Sequence, residues 1–130
     1  IFVLSRRRIA AKIAKIAEFA QLNDFLDVPL RQYSFGMRMR LAFALIVNIE
    51  SDILLVDESL AVGDLAFREK CFIKIAELKS QGTAFILVSH NMEEIARLCD
   101  RVIWLEKGRI RACGNTDIIL QEYARDTRVK

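Results

Sequence analysis

The sequence predicts an α/β chain: a parallel βαβ core, with part of a helical subdomain before it and a C-terminal β-hairpin plus helix after it. Three observations lead there. Ile53–Val56 and Ala84–Val88 are short apolar runs without alternation, the pattern of strands buried on both faces of a parallel sheet. Between them lies a helical stretch, Leu65–Ser80, closed by Gly82. Strand, helix and strand in that order make a βαβ unit, whose crossover is almost always right-handed. Lastly, Arg101–Leu105 and Ile110–Cys113 flank Glu106-Lys107-Gly108-Arg109 and read as a hairpin. Residues 1–50 are expected to be helical, and 51–130 to hold the core, hairpin and last helix.

Taken in order, Ser5 is placed to cap a helix over about Arg6–Ala20, with Ile9, Ile13, Ile16 and Ala20 as its apolar stripe. A short turn holds Leu22, Phe25 and Leu26 before Pro29 breaks the chain. A loop with Ser34 leads into a helix over about Gly36–Ile49, apolar almost all round after Leu41 and so expected to be buried. The strand within Asp52–Glu58 and the loop Ser59–Asp64 follow. Helix Leu65–Ser80 is expected to bury Phe72, Ile75 and Ala76. After the second strand come Ser89-His90-Asn91 and a helix over Met92–Cys99. Trp104 in the hairpin reads as a packing residue, and Thr116 as the cap of a final helix reaching about Arg125.

Composition narrows the function. Hydrophobic residues make up 53% of the chain, which excludes disorder. A net charge of +3 from 20 basic and 17 acidic residues makes no case for nucleic acid. Arg6-Arg7-Arg8 is one basic cluster; it fits a solvated helical turn or an acidic partner surface. Cys71, Cys99 and Cys113 form no C-x-x-C pair and stand far from the single His90, so zinc is not expected. They fit a reducing cytoplasm, as small buried hydrophobes. The longest strictly apolar run, Leu41–Val47, is too short to cross a bilayer, and no secretory signal pattern opens the chain. Because residue 1 is isoleucine, the chain is expected to be part of something longer.

The chemistry concentrates after the first strand. Asp57 and Glu58 stand at its carboxyl end, where open α/β sheets bind ligands. The first acid can hold a hydrated Mg²⁺ and the second can orient or deprotonate a water. The same dipeptide also serves as a solvated strand end. His90 ends the second strand, and parallel pairing brings it near Glu58. Ser34, before a helix, is either an ordinary N-cap or part of an anion site made with the free N–H groups there.

In this order and spacing, Ser34–Met37, Ile53–Glu58, Ala61–Asp64 and Ser89-His90 resemble the second half of an ABC nucleotide-binding domain, a P-loop NTPase-like fold. They correspond to its signature loop, Walker B strand with catalytic Glu, D-loop and H-loop. The wording YSFGMRMRLAFA and LAVGD is similar to the ATPases that export O-antigen, teichoic acid or capsular chains in bacteria. The resemblance implies two such domains closing head to tail as a homodimer on ATP and Mg²⁺. Ser34, Phe35, Gly36 and Met37 would then face the ATP of the opposite subunit. Asp57 would organise Mg²⁺, Glu58 would be the general base, His90 would contact the γ-phosphate, and Asp64 would lie at the dimer seam. It also implies a transmembrane permease subunit docking on parts of Arg6–Leu30, and a place at the cytoplasmic face of the membrane. Two departures stand out: Phe35 occupies a position that the family keeps small, and no G-x-x-x-x-G-K-S/T loop occurs in these residues. The chain alone is therefore expected neither to bind ATP tightly nor to hydrolyse it. A DNA-repair or translation type of ABC clamp and a degenerate, non-catalytic scaffold are the other readings.

Overall fold

The computed structural model describes residues 6–49, 51–58 and 63–128, with side chains given for 10–49, 51–58 and 63–127. The chain folds as two compact units. The first contains α1 (Arg6–Ala20), α2 (Phe35–Val47) and α3 (Leu65–Ser80). The second contains β1 (Ile53–Asp57), β2 (Ala84–Val88), α4 (Met92–Leu98), β3 (Arg101–Glu106), β4 (Arg109–Asn115) and α5 (Thr116–Arg128). No helix among the described residues is long and apolar enough to cross a membrane.

In the helical unit, two 3₁₀ turns, Asn23–Phe25 and Leu30–Gln32, carry the chain from α1 past Pro29 to α2. The Tyr33 hydroxyl donates to the Phe25 carbonyl at 2.7 Å and ties these turns together. Ala20, Leu22, Tyr33 and Ala44 are the buried centre, with Ile16, Phe19, Met37 and Leu41 packed around them. Phe19, Phe43 and Phe67 bring α1, α2 and α3 together, with ring centroids 5.8 to 6.4 Å apart. Lys70 donates to the carbonyls of Phe19 at 3.0 Å and Glu18 at 3.4 Å, placing a cation at the C-terminal end of α1 where the helix dipole favours one.

In the second unit, β1 and β2 pair in parallel, Ile53 opposite Ala84 through Asp57 opposite Val88. β3 and β4 pair antiparallel around Lys107-Gly108, both with positive φ, +49° and +74°. A two-residue turn of that kind matches the natural strand twist, so the expected four-residue turn is shorter by two. Trp104 packs edge-on against Tyr123 of α5 at 5.2 Å.

Several expectations need correction. The strands are not buried on both faces. Leu54 and Val56 are buried, but Ile53, Leu55, Ile86 and Val88 are each more than half exposed. An apolar run signals a strand; it does not count the layers that cover it. In α1 the buried positions are Ala17 and Ala20, while Ile13 is exposed, because the apolar centre sits at the end of the helix. In α2 only Phe43, Ala44 and Val47 are buried; Leu45, Ile46 and the following Ile49 are exposed. In α3, Phe67, Cys71, Phe72 and Ile75 are buried, but Ala76 is exposed. It lies nine residues from Phe67, half a turn round at 3.6 residues per turn. Thr116 does not cap α5. Its hydroxyl donates to the Cys99 carbonyl at 2.7 Å, and Asn115 accepts the Asp117 N–H instead. Cys71 is buried, but Cys113 is exposed. The Ser5 cap, the side chains of Arg6–Ile9 and the residue Ala61 lie outside what is described.

Candidate functional site

The apolar strands deliver the acidic pair and the histidine to one edge of the parallel pair. Asp57 is the last residue of β1, opposite Val88. Glu58 follows with φ +48°, and its N–H donates to the Val88 carbonyl at 2.9 Å. A non-glycine residue in that region of φ is uncommon, and such strain gathers at functional positions. The turn aims the Glu58 carboxylate at the chain leaving β2. There Oε1 lies 3.3 Å from His90 Nδ1. Both side chains are well exposed, 63% and 85%, so the pair is open to a ligand from solvent.

Ser89, Asn91 and Glu94 fix the loop that carries His90, contacts that the sequence reading did not foresee. Asn91 caps α4, its Oδ1 accepting the N–H groups of Glu93 and Glu94. The Ser89 hydroxyl accepts the Asn91 N–H at 3.0 Å and lies 3.2 Å from the carboxylate of buried Glu94. The signal was available: Asn followed by two acids is a helix start that suits the dipole.

The remaining candidates lie in the helical unit. Ser34 is the N-cap of α2, its Oγ accepting the Met37 N–H at 3.2 Å. Phe35 begins the helix and is 73% exposed. Gly36 has open space around it, a Cβ there meeting nothing nearer than Ser34 Oγ at 3.9 Å. Met37 turns inward onto the apolar centre. Asp64 is the N-cap of α3, accepting the Phe67 N–H at 2.9 Å through Oδ1 and the Arg40 guanidinium at 2.9 Å through Oδ2. The Phe67 N–H first, and then Arg40, hold its carboxyl below the usual aspartate range. Asp57, Glu58 and His90 thus belong to one unit, and Ser34, Phe35, Gly36, Met37 and Asp64 to the other.

Arg40 is a further residue that sequence reasoning did not assign to the site. Arg40 also donates to Gln21 at 3.2 Å, and its Cζ lies over the Phe67 ring, 5.2 Å from the ring centre. Its partners stand 19 and 24 residues away, beyond the reach of any local pattern.

No protein-family profile matches the chain. It is 43% identical over 120 residues to an O-antigen export system ATP-binding protein, RfbB, from Klebsiella pneumoniae, covering 92% of this chain and 49% of that protein. It is 46% identical over 108 residues to the teichoic acids export ATP-binding protein TagH from Listeria monocytogenes serotype 4b, covering 83% of this chain and 32% of TagH. The chain therefore spans half or less of the length of these relatives. In fold it is similar to an ATP-binding cassette solved as a dimer in a post-hydrolysis state with ADP and Pi, at a TM-score of 0.75 and 20% identity, over 88% of this chain and 50% of that one.

Proposed function

We propose that this chain, which belongs to the ATP-binding proteins of ABC transporters, supplies the water-activating half of an ATPase that drives export of a bacterial cell-surface polysaccharide. The observation that carries the proposal is the Glu58 carboxylate 3.3 Å from His90 at the carboxyl end of a parallel strand pair. Similarity to the O-antigen and teichoic acid export proteins supports the choice of cargo class.

In this reading Glu58 accepts the proton of the attacking water, and His90 steadies both that carboxylate and the γ-phosphate end of the substrate. Asp57 is the residue for Mg²⁺. The donor set fits: an exposed carboxylate oxygen suits a hard cation. No group of three His, Cys, Asp or Glu side chains among the described residues forms an all-protein metal cage. When bound, Mg²⁺ neutralises charge on the phosphates. The Ser34–Met37 turn and Asp64 face the substrate of a second copy, closed head to tail. A transmembrane subunit docks on the helical unit, keeping the protein at the cytoplasmic face of the membrane. Catalysis is then positioning and electrostatics, with little covalent work by the protein. These 130 residues contain no phosphate-cradling G-x-x-x-x-G-K-S/T loop, and alone they hydrolyse no ATP.

A non-catalytic scaffold is the second reading, favoured by the exposed bulk of Phe35. Complementation separates the two. In a strain lacking the complete protein, the wild-type gene restores surface polysaccharide and Glu58→Gln does not. Equal restoration by both removes hydrolysis at Glu58 from the account.

A further inference from the structure

We infer that Arg40 is a positioning residue that locks the segment before α3 to the signature helix α2, so that Asp64 and the Ser34–Met37 turn are presented as one rigid surface. The inference rests on the functional reading above, in which both elements face the nucleotide of a second subunit.

The geometry separates this contact from an ordinary surface ion pair, which contributes little. Both oxygens of Asp64 are engaged, Oδ1 by the Phe67 N–H and Oδ2 by Arg40, so the carboxylate cannot rotate without losing a bond. The Asp64 side chain is 61% exposed, but the Arg40 side chain that holds it is only 23% exposed. One of its terminal nitrogens reaches Asp64, the other reaches Gln21 just past the end of α1, and Cζ lies over the Phe67 ring. One planar fork therefore joins three helices, a task that a lysine point charge cannot repeat. Arg40 lies six residues beyond Ser34, about 9 Å along the same helix, close enough for helix α2 to carry the constraint rigidly to the turn.

The backbone around Asp64 fits the same purpose. Gly63 has φ +77°, and a Cβ there would stand 3.2 Å from Arg40 Nε and 3.3 Å from Phe67. The glycine lets the chain pass under the guanidinium. Misplacing a substrate-facing group by about 1 Å can cost as much as 100-fold in rate.

The test uses the complete ATPase. ATP turnover is measured for wild type, Arg40→Lys, Arg40→Met, Asp64→Asn and the double variant Arg40→Met/Asp64→Asn, with circular dichroism as a check on folding. The expected result is a fall in kcat of about ten-fold for Arg40→Met, with KM for ATP within about two-fold of wild type. Arg40→Lys should recover little of that loss, and the double variant should be no slower than the worse single one, because both substitutions break one unit. Unchanged kcat in Arg40→Met, full recovery by Arg40→Lys, or losses that multiply in the double variant would overturn the inference. If Arg40→Met fails to fold, the Arg40→Lys and Asp64→Asn rates decide, since a coupled pair requires both to be slow. Glu58→Gln is run alongside. A dead Glu58→Gln with a normal Arg40→Met defeats this inference alone, whereas a wild type without turnover or an active Glu58→Gln defeats the functional reading and this inference with it.

Discussion

Replacing Gly63 by alanine tests the packing around Asp64, and the chain contains its own control. Gly63 and Gly108 share a positive φ, +77° and +74°. At Gly108 an added Cβ meets nothing within 4 Å; at Gly63 it stands 3.2 Å from Arg40 Nε and 3.3 Å from Phe67 Cβ and Cδ1. Both alanines carry the left-handed penalty, about 1–2 kcal/mol. Only Gly63→Ala adds crowding. Phe67 is fully buried and cannot retreat, so the addition should be about 1–3 kcal/mol, the usual range for overpacking. The difference between the two variants therefore isolates the contact with Arg40 and Phe67. Urea unfolding followed by far-ultraviolet circular dichroism reads it out. With a urea slope of about 1–3 kcal/mol per molar, the Gly63→Ala midpoint should fall below that of Gly108→Ala by roughly 1 M. Equal midpoints would refute the packing described around Asp64.

Three further outcomes follow from the same structure. Phe67→Ala removes the ring that Phe19 and Phe43 pack against and should destabilise the chain by about 3–5 kcal/mol in urea melts, with Phe67→Leu costing far less. Burial pushes the Cys71 thiol up to about 12, so at about pH 8 iodoacetamide should label exposed Cys113 in the folded chain and leave Cys71 until denaturant is added. The Asp64 carboxyl titrates lower folded than the ordinary aspartate value of 3.8, so its contribution to stability is complete above about pH 4 and lost as pH falls through the folded value. Asp64→Asn should flatten the acid limb of stability against pH below about 4, and an unchanged limb would mean that the ties to Phe67 and Arg40 do not persist in solution.

Local pattern carried most of the fold. The bounds of α3 and β2 follow from apolar spacing closed by Gly82, and the hairpin from Lys107-Gly108, where both φ values are positive. Burial was harder, because it depends on what stands opposite. Ile86 and Val88 are exposed although their strand is wholly apolar, and Ala76 faces away although its helix is well packed. The closeness of Glu58 and His90 was legible because parallel pairing puts the ends of adjacent strands together. The Arg40 clamp was not. Its partners Gln21 and Asp64 are brought to it only by the packing of three helices, and no spacing in the sequence records that.

The most direct measurement is the ATP turnover of the complete protein, wild type against Glu58→Gln. General-base catalysis contributes about 10²–10⁴-fold, so kcat should fall by at least about 100-fold while ATP still binds. A Glu58→Gln variant that hydrolyses ATP at the wild-type rate would contradict the central claim, that the carboxylate beside His90 is the group that activates water.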